Sequence, residues 1–250
     1  MKIVSWNCNG ALRNKIKRLD DMNADILVIQ ECENPETSND HFKNWAGTYL
    51  WKGKNKSKGI GIFARNGHQL TTLDWSGEFD FRINGVNHRP LTWQSQQLEL
   101  FLPCMINNEI PLLAVWTKQA NSKNFGYVGQ FWIYLQIHKE QMKHPNQIIC
   151  GDFNSNTIWD EQDRLWNHSD VIAELKTLGL ESLYHTKTNE PQGEEISPTF
   201  FHHRKPEKPY HIDYVFMPAN KIENTSLKLH SAEDFLEYSD HLPIEFTISQ

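Results

Sequence analysis

Short apolar runs of strand length recur along this 250-residue chain, and several of them stop at a carboxylate or a carboxamide. Ile3 to Trp6 runs into Asn7, Ile26 to Ile29 into Glu31, and Gln147 to Cys150 into Asp152 and Asn154. Further on, His211-Ile212-Asp213-Tyr214-Val215-Phe216 carries an acid inside an apolar run, and Ser239-Asp240-His241 stands directly before Leu242 to Ile248. Strands that deliver acids, amides and a histidine to their ends can build one metal-dependent site from residues far apart in sequence.

Alternation and β-branched content predict strands near 2–7, 25–30, 59–64, 97–102, 111–116, 146–150, 180–184, 198–202, 211–217 and 242–248. Helical spacing groups Leu12, Ile16, Leu19 and Met22, then Phe131, Tyr134, Leu135 and His138, then Val171, Leu175 and Leu178, with Gly179 as a stop. Many strand pairs have only loops between them, so antiparallel or mixed sheets fit better than a doubly wound parallel sheet. The expected architecture is α/β, with two packed sheets and helices outside. No linker, low-complexity block or solenoid repeat divides the chain, and the candidate site residues run from Asn7 to His241, so one domain over 1–250 is expected.

Hydrophobic residues make up 38% of the chain, with nine Trp and thirteen Phe, which supplies a core and excludes a disordered composition. No apolar run approaches the roughly 18 residues that span a bilayer, and Met1-Lys2-Ile3-Val4 enters a strand-like run, so a soluble, cytoplasmic protein is expected. Cys8, Cys32, Cys104 and Cys150 show no CxxC spacing and read as buried free thiols. The net charge of −6 excludes a broad basic field, so any nucleic-acid contact must be local. Lys52-Gly53-Lys54-Asn55-Lys56-Ser57-Lys58 and the stretch His202-His203-Arg204-Lys205 with Lys208 can supply such a contact, or can simply be solvated loops.

In Gly151-Asp152-Phe153-Asn154 an extended backbone points Asp152 and Asn154 one way and Phe153 the other. A carboxylate that orients or deprotonates water and an amide that donates to developing charge suit hydrolysis of a phosphate ester, although Gly, Asp and Asn also form ordinary turns. Glu31 ends an apolar run, where a carboxylate is costly unless it is paired or bound to metal. Magnesium prefers oxygen ligands, so Glu31 with Asn7 and Asp240 is a candidate set for Mg2+ or Mn2+, with Asn9 beside it; a salt bridge is the alternative. Asp213 can hold His241 in a fixed tautomer and raise its pKa, which lets a protonated His241 hold a phosphate oxygen; a structural Asp–His network is the alternative.

Taken together, Ser5-Trp6-Asn7-Cys8-Asn9-Gly10, Gln30-Glu31, Gly151-Asp152-Phe153-Asn154, His211-Ile212-Asp213-Tyr214 and Ser239-Asp240-His241 resemble the endonuclease/exonuclease/phosphatase superfamily over nearly the whole chain. That superfamily includes exonuclease III-like abasic-site endonucleases, pancreatic-type deoxyribonucleases, sphingomyelinases and inositol polyphosphate 5-phosphatases. The resemblance implies a four-layer α/β sandwich, two packed mixed sheets flanked by helices, with the site at one edge. It also implies Glu31 as main metal ligand with Asn7 and Asp240, Asp152 as the residue that orients or activates water, Asn154 as a phosphate ligand, and Asp213 with His241 as the acid and histidine pair. One departure stands out. Many relatives carry a His or Tyr where Leu112-Leu113-Ala114-Val115 here runs into Trp116-Thr117. Trp116 offers a stacking face or simply packs, and Tyr127 can reach in from the following segment.

The preferred reading is a nuclease acting on phosphodiester bonds by in-line attack of water, with Lys58 and its neighbours on the backbone. A phosphatase or phosphodiesterase for a small phosphorylated molecule or lipid head group is the alternative. A non-catalytic binding module is the third, and the full set of acids, amides and histidine argues against it.

Overall fold

The computed structural model describes residues 1–82, 91–98, 100–119 and 125–249. Among them the strands form two six-stranded sheets and two two-stranded ribbons. The first sheet runs, in spatial order, Thr225–Leu229, Ile244–Ile248, Lys2–Asn7, Ile26–Cys32, Lys58–Ala64 and Thr48–Asn55. The second runs Leu180–Ser182, Asp213–Pro218, Ile148–Asp152, Ile110–Trp116, Phe101–Ile106 and Leu70–Thr72.

Each sheet is mixed for the same reason. Lys2–Asn7 lies parallel to Ile26–Cys32, and Ile110–Trp116 lies parallel to Ile148–Asp152, whereas the neighbours on either side are antiparallel. A parallel pair needs a crossover, and helices Ile16–Asp21 and Val128–His138 supply the two crossovers. Both helices pack on the outer face of their own sheet.

Alternation along the strands then sorts the core. Ile3, Val28, Ile62, Ala114, Ile148 and Val215 meet between the sheets. Val4, Leu27 and Phe63 face outward onto Leu19 and Phe42 of helices Ile16–Asp21 and Asp40–Ala46. Leu113, Ile149 and Phe216 face the opposite way, onto Phe131 and Val171 of helices Val128–His138 and His168–Thr177. The result is a four-layer α/β sandwich. Over the outer side of Val128–His138 lies the ribbon Glu78–Phe81 with Leu91–Gln94, whose Phe79 and Phe81 meet Trp132 edge-on at 5.7 and 5.9 Å. Covered on two sides, that helix is buried over most of its circumference.

The expected strands near 2–7, 25–30, 59–64, 111–116 and 242–248 all form, within a residue or two of their bounds. Three expectations change. The strand expected near 97–102 forms as Phe101–Ile106, residue 99 lying outside the described residues, because a 3-10 turn at Ser95–Gln97 occupies its start. The strand expected near 180–184 stops at Ser182, and Leu183–Thr188 is helical. That expected near 198–202 is cut to Phe200–Phe201 by a turn at His202–Arg204, where His203 and Arg204 take positive φ.

All four cysteines are free and buried, and burial pushes the Cys8, Cys104 and Cys150 thiols up to about 12. They are packing residues. Among the described residues, no helix is long and apolar enough to cross a membrane.

Phe153 is fully buried, with its ring 5.0 Å from Phe131, 5.6 Å from Tyr214 and 5.5 Å from Phe216. It therefore anchors the segment that carries Asp152 and Asn154 to the outer core. Replacing it by alanine is expected to destabilise the protein by about 3–5 kcal/mol, read from urea unfolding midpoints; a loss below about 1 kcal/mol would show that the segment is held by something else.

Candidate active site

The same alternation that fills the inter-sheet core carries polar groups to one end of it. Ile3 is followed two residues later by Ser5 and then Asn7, Ile148 by Cys150 and then Asp152, and Asp213 precedes Val215 and Met217 on the antiparallel neighbour. Asp152 pairs in register with Asp213 on one side and with Trp116 on the other. Gly151 permits the approach: its φ is +144°, and a Cβ there would stand 1.9 Å from the carbonyl oxygen of Val115.

Asp152 sits at the centre. Its Oδ2 accepts from Asn7 Nδ2 at 2.8 Å and from Asn154 Nδ2 at 2.8 Å, and its Oδ1 accepts from the Asn154 backbone N–H at 2.8 Å. The second hydrogen of the Asn154 amide goes to the carbonyl of Thr117 at 3.1 Å. On the other side of Asp152 stands His241, with Nε2 at 3.8 Å from Oδ2 and Nδ1 at 2.9 Å from Asp213 Oδ2. Both ring nitrogens thus face carboxylates, which is the arrangement of an imidazolium. Burial alone would discourage that charge, but the carboxylates of Asp213 and Asp152 override it and raise the ring well above the usual histidine range. Burial raises Asp152 as well, by more than the His241 charge lowers it, and Asp213 adds to the rise.

Neighbouring backbone and hydroxyl groups fix this cluster. Thr199 Oγ1 donates to Asp213 Oδ2 at 2.8 Å and accepts from the Asp213 N–H. Ser239 Oγ donates to the Asn7 carbonyl at 2.7 Å and accepts from the His241 N–H, while Trp6 Nε1 donates to the His241 carbonyl at 2.9 Å. Phe200 lies against the imidazole at 4.6 Å.

Glu31 arrives by a different device. Regular alternation would turn it toward the outer helices with Leu27 and Ile29, but the register slips between Gln30 and Cys32, and Glu31 takes a φ of +62°. Its Oε1 lies 3.4 Å from Asn7 Nδ2, and its Oε2 is bonded by Lys58 Nζ. Asn7 Oδ1 accepts from the Asn9 N–H at 3.0 Å, which orients the Asn7 amide toward Asp152 and Glu31. Asp240 is half-buried next to His241, its carbonyl accepting from Phe201 N–H at 2.7 Å, and its charge acts on His241 and Lys15.

Two sets of residues are candidates for holding a cation. Glu31 and Asp240 offer partly exposed carboxylates, and the buried Asn7 amide lies beside Glu31. Asp152, Asp213 and His241 bring three candidate ligand atoms within 4.8 Å of one another, but there both imidazole nitrogens already face carboxylates. The oxygen set suits magnesium or manganese, and the partly exposed Glu31 carboxylate leaves room for the waters such an ion keeps.

Trp116 is 3% exposed and completes the inward stripe of Leu112 and Ala114, with Lys118 Nζ 4.4 Å above its ring. It closes the core beneath the site and presents no face to a substrate, which corrects its place among the substrate-binding residues. Thr117 is also buried, its hydroxyl bonded to the Phe153 carbonyl. Tyr127, 44% exposed, instead lines a cavity of about 520 Å3 together with Asn154, Trp159, Arg164, Phe200 and Tyr210. Trp159 and Tyr210 lie 5.2 Å apart there. On the far side of the cluster, Gly10, Arg13, Lys56, Ser57 and Lys58 line a second groove of about 550 Å3. The cavity residues Trp159, Arg164 and Tyr210 lie outside every strand and helix expected from the sequence, whereas Thr199 and Phe200 lie in the strand expected near 198–202 and Ser239 sits inside a quoted motif.

Residues 4–241 match the Endonuclease/Exonuclease/phosphatase family. No curated protein sequence matches the chain. Among solved structures it is similar to the 3' phosphatase NExo from Neisseria bound to a product DNA hairpin, at 17% identity and a TM-score of 0.70, with both chains covered completely. An AP endonuclease from Archaeoglobus fulgidus gives 17% identity and a TM-score of 0.63, again over the whole of both chains. The endonuclease domain of TRAS1, a telomere-specific non-LTR retrotransposon, gives 15% identity and 0.62, covering 100% of this chain and 98% of that one. With Asn7, Glu31, Asp152, Asn154, Asp213 and His241 delivered to one end of a paired-sheet core and the match running across all of them, the chain belongs to the Endonuclease/Exonuclease/phosphatase family.

Proposed function

We propose that the protein is a divalent-metal-dependent hydrolase of phosphodiester bonds in nucleic acid, built as one domain over residues 1–250. The observation that carries this reading is the hydrogen-bonded set Asn7–Asp152–Asn154 beside the His241–Asp213 pair, flanked by an aromatic cavity on one side and a cationic groove on the other. Aromatic faces at Trp159, Tyr210 and Tyr127 suit an unstacked nucleoside, and Arg13, Lys56 and Lys58 suit the backbone phosphates that lead to it. The neighbours in fold include proteins described as a 3' phosphatase with a DNA product and an AP endonuclease, which supports the same substrate class.

In this reading Glu31, Asn7 and Asp240 would hold the cation, which would supply positive charge to offset that of the phosphate. Asp152, fixed by three N–H donors, orients the attacking water and takes its proton. His241, kept protonated by Asp213, donates to a non-bridging phosphate oxygen and stabilises the charge that develops there. Asn154 holds Asp152 in the free protein through an amide whose two hydrogens are both engaged, so it meets phosphate by exchanging one of those bonds.

The test is an assay of purified protein with Mg2+, and with a chelator as control, on plasmid DNA, single-stranded DNA, RNA, an abasic duplex and a generic phosphodiester. Hydrolysis of one or more nucleic acids is expected; cleavage of the generic compound alone would replace the reading by a small-molecule phosphoesterase. Asp152→Asn and His241→Ala are each expected to lower the rate by at least about 100-fold, and full activity in either folded variant would reject the mechanism. Glu31→Gln is expected to shift the magnesium requirement upward, so an unchanged magnesium titration would remove Glu31 from the ligand set. Tyr210→Ala is expected to raise KM for the nucleic acid by about 5- to 150-fold, the equivalent of about 1–3 kcal/mol for loss of a stacked base; an unchanged KM would remove the cavity from the substrate path.

A further inference from the structure

The ion pair between Lys58 and Glu31 has no part in the hydrolysis as proposed, in which Lys58 serves only the phosphate backbone. Lys58 opens the strand Lys58–Ala64 at the tight turn from Thr48–Asn55, which brings it opposite the bulge of Ile26–Cys32. Its stem runs over Gly10, where an added Cβ would come within 3.6 Å of Lys58 Cε. The ammonium ends on Glu31 Oε2, while the other Glu31 oxygen keeps a long contact to Asn7 at 3.4 Å. The carboxylate that the bulge presents to a cation is therefore already engaged by a cation from the protein itself.

An ammonium and a divalent ion compete for the same carboxylate lone pairs, and both partners of this pair are partly open to water, with side-chain exposures of 44% and 18%. The pair is thus weak enough to exchange. The groove beside it, lined by Gly10, Lys56 and Ser57, gives the lysine a place to go. Arg13, on the same groove, is tied to Glu33 at 2.9 Å and offers no substitute.

We infer that Lys58 is a built-in competitor of the divalent ion for Glu31, and that it sets the ion concentration at which the site fills. This rests on Glu31 being a metal ligand. Without the ion, the ammonium neutralises the carboxylate that the bulge turns into the site; when the ion binds, the ammonium withdraws toward the groove.

Calorimetric titration of Mn2+ into metal-stripped protein, without substrate, tests this on wild type, Lys58→Met and Lys58→Arg. Lys58→Met keeps the stem and removes the charge, and it is expected to bind the ion roughly three- to five-fold more tightly, the size of a lost exposed ion pair. Lys58→Arg retains the charge and is expected to bind like wild type. Equal or weaker binding by Lys58→Met overturns the inference while leaving the metal reading intact, and a wild-type protein that binds no ion overturns both.

Discussion

A buried positive charge held between two buried carboxylates fixes the geometry of this protein's working edge. His241 belongs to the segment leading into Ile244–Ile248 of the first sheet, whereas Asp213 and Asp152 lie on adjacent strands of the second, so the imidazolium joins the two sheets at the end where their apolar packing stops. Asn7 spans the same gap from the first sheet to Asp152. Charges taken out of water stabilise nothing unless their partners are placed well, and removing one partner of a buried pair typically costs about 3–5 kcal/mol. The hydroxyls of Thr199 and Ser239 and the indole of Trp6 supply that placement, and the sandwich behind them supplies rigidity.

Much of this was legible because a strand has a period of two. Once Ile3 and Ile148 are taken as inward-facing, Asn7 and Asp152 must reach the same end of the core, and Phe153 must turn away from it. Glu31 shows where that logic stops. By count it belongs on the helix face, and a bulge with positive φ, which no periodicity announces, turns it into the site. Trp116 obeys the rule and so was misplaced by analogy: its position follows Leu112 and Ala114 inward, where a large ring fills core instead of meeting substrate. The edge strand Thr48–Asn55 is hard to read in the sequence because its short apolar stretch Tyr49-Leu50-Trp51 gives way to Lys52, Gly53, Lys54 and Asn55, and the ribbon Glu78–Phe81 with Leu91–Gln94 because its aromatic residues pack on a helix far away in sequence.

The charge distribution follows the same economy of place. Against a net charge of −6, Arg13, Lys56 and Lys58 line the groove next to Glu31, and Arg164 lines the cavity next to Asn154. A polyanion would meet local positive charge near the reacting edge, in keeping with local contact to a nucleic-acid backbone. The aromatic cavity between Tyr127, Trp159 and Tyr210 adds the apolar surface that a phosphate alone does not need.

The central claim is a division of labour between two cations: a proton fixed on His241 between Asp213 and Asp152, and an exchangeable divalent ion at Glu31. Anomalous scattering from crystals soaked in Mn2+ tests it most directly. A peak is predicted beside the Glu31 carboxylate and Asn7, with none between Asp152 and Asp213. A peak ligated by a ring nitrogen of His241 would contradict the account.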